Sequence, residues 1–155
     1  MEFIAVDRTI AAPVERVWEV FTDIGHSDEH LSGVTAVEML SEGAFGVGTR
    51  WRETRSMFGR SATEEMWVAE CEPPRRYVVR ADDGGRHYVS ELSFEPEGED
   101  ATVARMTFGQ ESPGLLARTV ARLVGPVFLR QLTRMLRQDL DDLARVCESS
   151  PGPDR

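Results

Sequence analysis

RTIAAPVERVWEVFTDI, residues 8–24, passes from strand to helix within a few residues, and the fold is read outward from that switch. Upstream, EFIAVDRTIA (2–11) alternates as a half-buried strand does, with Phe3, Ala5 and Ile10 expected to face inward. Pro13 suits a first helical turn, because its fixed φ fits there and its missing N–H is not needed. Val14, Val17, Phe21 and Ile24 then recur at 3-4-3 spacing, with Trp18 beside them. That period predicts an amphipathic helix of about three turns, with Glu15, Arg16 and Glu19 on its wet face.

HSDEH (26–30) follows as a short helical turn closed by Gly33. Its two histidines stand four apart with a glutamate beside the second, a match to the H-x-x-E-H ligand pattern of inverted zinc peptidases. A zinc site needs a third protein ligand, and the one other histidine, His87, falls at a hairpin. A solvated polar turn is therefore expected, with no metal and no cofactor.

From there to residue 111 the chain reads as strands and turns. VTAVEML, TRWRETRSMF, ATEEMWVAE, RYVVRA, HYVSELSF and TVARMTF are separated by Gly- and Pro-rich turns, so antiparallel neighbours are expected, seven with the first strand. Gly43, Gly46 and Gly48 lie between two strands and open no helix, which makes them a hairpin turn and not a nucleotide loop. Ser112-Pro113 starts a long final helix. Leu116, Val120, Leu123 and Val127 begin its apolar stripe; Leu132, Leu136, Leu140, Leu143 and Cys147 continue it. Gly125-Pro126 is expected to kink or break this helix. One domain over residues 1–148 and a disordered tail, 149–155, are expected.

Composition narrows the function. The 155 residues are 41% hydrophobic and 29% charged, ordinary for a globular chain that buries its own core. A net charge of −9 argues against nucleic acid. All 18 cationic side chains are arginine, so lysine Schiff bases and a P-loop are excluded; the bias suits a GC-rich, bacterial genome. Cys71 and Cys147 suit free thiols, and with no signal peptide or spanning apolar run a cytoplasmic protein is expected.

The order of strand, short helix pair, meander and long helix is that of the helix-grip fold. The residues resemble the START/birch-allergen-like (SRPBCC) superfamily in its polyketide cyclase/dehydratase branch: RTIAAPVERVWEVFTDI, VGTRW (47–51), ECEPPRRY (70–77) and the final helix carry the likeness. It implies an α+β fold, a seven-stranded antiparallel sheet curled around the long C-terminal helix with two short helices after strand 1. It also implies a cavity between sheet and helix for a small hydrophobic molecule.

Strand parity supplies the candidate residues. Trp51, Trp67, Tyr77, Tyr88, Phe94, Met106 and Phe108 are expected to line an apolar space, with Phe128 or Leu132 closing it from the helix. Glu53 and Arg55 share a face with Trp51 and Met57, and Glu65 shares one with Trp67, Ala69 and Cys71, so Glu53, Arg55 and Glu65 are the candidate catalytic groups.

Three readings stand: a module binding a lipid- or polyketide-like ligand, a metal-free cyclase, aromatase or dehydratase using cavity acid/base groups, and a partner-protein-binding module of the chaperone-activator type. Residues 112–138 hold five arginines and no acid, so +5 there leaves −14 on the remainder. With the apolar stripe occupied by the sheet, these arginines are expected to pair with the acidic body and to bind anionic vesicles weakly or not at all.

Overall fold

The computed structural model describes residues 2–57, 59–83, 86–111 and 115–149, with the backbone alone at 2–3, 83, 111 and 115–124. Strands β1 (Glu2–Ile10), β2 (Val34–Met39), β3 (Arg50–Met57), β4 (Arg60–Glu72), β5 (Arg76–Asp83), β6 (Arg86–Pro96) and β7 (Thr102–Glu111) form one antiparallel sheet in the order β1-β7-β6-β5-β4-β3-β2. Helix α1 (Val14–Phe21) and a 3-10 turn (Ile24–His26) leading into α2 (Ser27–His30) fill the link from β1 to β2. The long α3 (Leu115–Glu148) lies in the concave face of the sheet, mainly against β1 and α1. This is the helix-grip fold.

Helix α1 is shorter than its apolar spacing suggests. Thr22 turns its hydroxyl back onto the Trp18 carbonyl at 2.8 Å, and Asp23 leaves helical geometry at ψ 64°, so Ile24 starts a separate turn. In β1 the inward positions are Ile4, Val6 and Ile10, and Ala5 is exposed. Its parity is thus one residue out from the expected Phe3 and Ala5; the side chain of Phe3 lies outside the described residues, as do Ser112-Pro113 and the tail beyond Ser149.

One end of the grip is closed by packed side chains. Ile10, Val17, Phe21, Phe94 and Leu140 are at most 4% exposed there. Phe94 meets Phe21 edge to face at 4.9 Å and Trp18 at 5.9 Å, and Tyr77 meets Phe45 at 4.9 Å. Two polar groups buried among them are satisfied: Tyr77 donates its hydroxyl to the Phe21 carbonyl (3.0 Å) and Thr102 donates to the Ala12 carbonyl (2.9 Å).

Pro126 sits inside α3, which runs unbroken through it. Continuity has a consequence for the stripe. From Val127 to Leu132 is five residues, a turn of roughly 140° around the axis. The two halves therefore do not form one stripe: Leu132, Leu136, Leu140, Leu143 and Cys147 are buried, whereas Val127 is 63% exposed. Leu116, Val120 and Leu123 share Val127's period, and their side chains lie outside the described residues.

Candidate functional site

Strand β3 alternates as its sequence requires. Arg50 and Arg52 face outward, while Trp51, Glu53 and Arg55 face α3. Trp51 is 3% exposed, and its indole N–H has no partner among the described residues. Glu53 and Arg55 are also buried, because α3 and the segment after α2 close over them. The guanidinium of Arg55 donates from Nη1 to Asp139 Oδ1 on α3 at 3.0 Å and from Nε to Glu53 Oε2 at 3.3 Å. Gly33 makes room for it, since a Cβ there would come within 3.1 Å of Arg55 Nη1.

Two carboxylates around one guanidinium leave a negative charge in a poorly solvated place. Burial pushes the Asp139 carboxyl up to about 6, in spite of Arg55 beside it. Burial opposes the charge on Arg55 too, but Asp139 and Glu53 outweigh it and raise the arginine. Three residues along α3, Asp142 goes the other way. Burial would raise it, yet the backbone N–H and hydroxyl of Ser32, at 2.9 and 2.7 Å, and the Gln138 amide at 2.9 Å, hold it below the usual carboxylate range.

This cluster opens onto a cleft of about 460 Å³ whose walls include Ser32, Gly33, Arg55, Met57, Met135 and Asp139. The methionines give it adaptable apolar surface and Arg55 gives it fixed N–H donors. A molecule lying along Met57 and Met135 would present its polar end to a guanidinium and to a carboxyl able to hold a proton near neutral pH.

The candidate residues divide into groups. Trp51, Tyr77, Phe94 and Met106 face inward but belong to the packed core. Tyr88 and Phe108 also face inward and stack on one another at 5.5 Å, half-buried. Leu132 is buried on α3, and Phe128 is 46% exposed.

Trp67 and Glu65 need correction. Arg50 pairs with Trp67 and Arg52 with Glu65, so both lie on the outer face of the sheet. There Arg50 covers the Trp67 ring at 4.8 Å and bonds Glu65 Oε2 at 2.5 Å. The physical reason is a bulge: Val68 pairs with Val79 but Glu70 pairs with Val78, so the strand gains one residue and Cys71 returns to the inner face. Counting from Cys71 back to Trp67 crosses that extra residue and inverts the face. Met66 and Val68 are the inward residues.

Sequence reasoning missed Asp139. Its signal is the composition of QDLDDL, where the first acids after the arginine-only stretch sit beside Leu136 and Leu140 of the buried stripe. HSDEH lies apart from the cleft chemistry. His26 Nδ1 meets Asp23 Oδ1 at 2.7 Å, which raises the imidazole, and the His30 ring is 6.4 Å away. Among the described residues, no three His, Cys, Asp or Glu side chains converge to hold a metal ion. Both thiols are poor nucleophiles, because burial raises Cys71 and pushes Cys147 up to about 12.

The family described as polyketide cyclase / dehydrase and lipid transport matches residues 1–148. The chain belongs to that family. Solved structures of its fold include the Zhui aromatase/cyclase from a Streptomyces species, at TM-score 0.75 and 20% identity over 95% of this chain and 93% of that one. Norcoclaurine synthase from Thalictrum flavum, in complex with dopamine and hydroxybenzaldehyde, is similar at 0.70 and 18% over 97% and 89%. A START superfamily protein from Mycobacterium smegmatis is similar at 0.65 and 17% over 91% and 98%. At these identities the likeness carries the fold alone. No curated protein matches the chain. Membership in the polyketide cyclase / dehydrase and lipid transport family supports a ligand-binding or cyclase role. No helix among the described residues is long and apolar enough to cross a membrane.

Proposed function

We propose that the protein binds a small, mostly apolar, aromatic or lipid-like molecule in the cleft between β3 and α3, with its electron-rich polar end on Arg55. One observation carries the reading: a guanidinium 12% exposed, held by two carboxylates, at the wall of an open cleft that also presents Met57 and Met135. A structural ion pair has no need of an open cleft beside it, whereas a ligand anchor does. Family membership supports the same class of ligand.

The test is native mass spectrometry of the purified protein, followed by titration with a flat, apolar, environment-sensitive dye whose polar end is an uncharged carbonyl. Binding near micromolar Kd is expected, weakened at least about tenfold in Arg55→Met. A native-like Arg55→Met protein that binds the dye unchanged sinks the reading.

A second reading rests on Asp139. A carboxyl with a pKa of about 6 can give or take a proton at neutral pH, and Arg55 3.0 Å away can stabilise a developing enolate. A cyclase- or dehydratase-type reaction on an enolisable substrate follows from that pair. Asp139→Asn would then retain the ligand and lose turnover.

A further inference from the structure

Val127, Phe128 and Leu129 are consecutive, and they are 63%, 46% and 39% exposed. Consecutive helical residues lie about 100° apart, so these three spread over more than half the circumference of α3. A flat protein partner covers one side of a helix. A lipid surface yields around side chains that enter it at different depths and angles. Arg130, Arg134 and Arg137 follow directly and are exposed, and no acidic residue occurs between 112 and 138.

We propose that residues 127–137 of α3 dock on an anionic lipid surface, the three apolar side chains entering the headgroup boundary and the arginines meeting lipid phosphates. The expectation of no vesicle binding assumed an apolar stripe wholly occupied by the sheet. The stripe shift after Val127 removes that premise. The net charge of −9 does not cancel the attraction, because charges more than about 8 Å from the contact are screened at physiological salt. Interfacial helices take this form: apolar residues at the boundary, arginines reaching to the phosphates. Gln131 and Arg134 also line the cleft, so docking would bring its mouth to the membrane surface.

The test is flotation of the full chain with phosphatidylcholine vesicles, with and without about a third phosphatidylglycerol. We expect binding on the anionic vesicles at least about tenfold above the neutral ones, decreasing with salt. Val127→Ser with Leu129→Ser, and separately Arg130→Ala with Arg137→Ala, should each lower it about tenfold at unchanged Tm. Absence of flotation with anionic vesicles at low salt overturns the proposal. So does binding that the arginine pair weakens and the apolar pair does not, which marks surface adsorption without insertion. Concentration-dependent dimers abolished by Phe128→Ser would assign the patch to a second copy of the chain and overturn it equally. None of these outcomes depends on a ligand in the cleft.

Discussion

The two halves of α3 share one helix and little else. From Leu132 onward, Leu136, Leu140, Leu143, Ala144 and Cys147 are buried against β1 and α1. Polar ties reinforce this half: Asp141 with Arg8, Asp142 with Ser32, and Glu148 with the Ala11 N–H at 2.9 Å. Before Leu132, Val127, Phe128 and Leu129 are exposed, and Arg130 and Gln131 follow them into solvent. The difference teaches that a helix can be long for two separate reasons. From Leu132 on, one side of the helix builds the core and the other walls the cleft, whereas residues 127–129 stand out from both.

The sharpest way to break this comparison is to truncate one leucine in each half. Leu140→Ala, at 1% exposure, should cost about 2–5 kcal/mol by urea denaturation, through lost burial and the cavity left behind. Leu129→Ala should stay within about 0.5 kcal/mol. Equal losses would mean that both halves of α3 are packed into the core alike.

Arg55 joins the sheet to the buried half of α3 at Asp139. Arg55→Met strands Glu53 and Asp139 as buried carboxylates, and a loss of about 3 kcal/mol at neutral pH is expected. Adding Asp139→Leu should recover a large part of it. A double variant no more stable than Arg55→Met would show that the cost came from lost packing against Gly33 and not from unpaired charge.

Smaller, but different in sign, is the response to acid. Asp139 binds its proton more readily folded than unfolded, so it opposes folding above about pH 6, and stability should rise as pH falls toward about 4. Asp142 has a depressed pKa, so its contribution is present above the ordinary carboxylate value and is lost below it. Asp139→Asn should flatten the acid-side gain, on the order of 2 kcal/mol between about pH 7 and about pH 4.5. A variant whose stability follows the parent across that window would place the gain on another group.

The strand set and both helical regions are legible in the sequence because period and punctuation agree. TRWRETRSM alternates without interruption, and Trp51, Glu53 and Arg55 fall on the face the alternation assigns. ATEEMWVAE does not yield so easily: its bulge adds one residue that no side-chain pattern marks, and Trp67 and Glu65 change face with it. Asp139 was invisible for another reason. Its partner Arg55 lies 84 residues away, and an acid beside a leucine stripe reads as ordinary helix surface until the pairing is seen. The jump from Val127 to Leu132 was legible by arithmetic, but only once Pro126 was known not to break the helix.

The bulge in β4 also separates two tryptophans optically. Trp51 is enclosed in the core, while Trp67 lies half-exposed on the outer face beneath Arg50. A soluble quencher in the bulk should reach Trp67 and spare Trp51. Emission from protein carrying both Trp18→Phe and Trp67→Phe would then report on the sheet interior next to Glu53 and Arg55, and a ligand arriving at the cleft could be followed by the protein's own fluorescence, with no label attached.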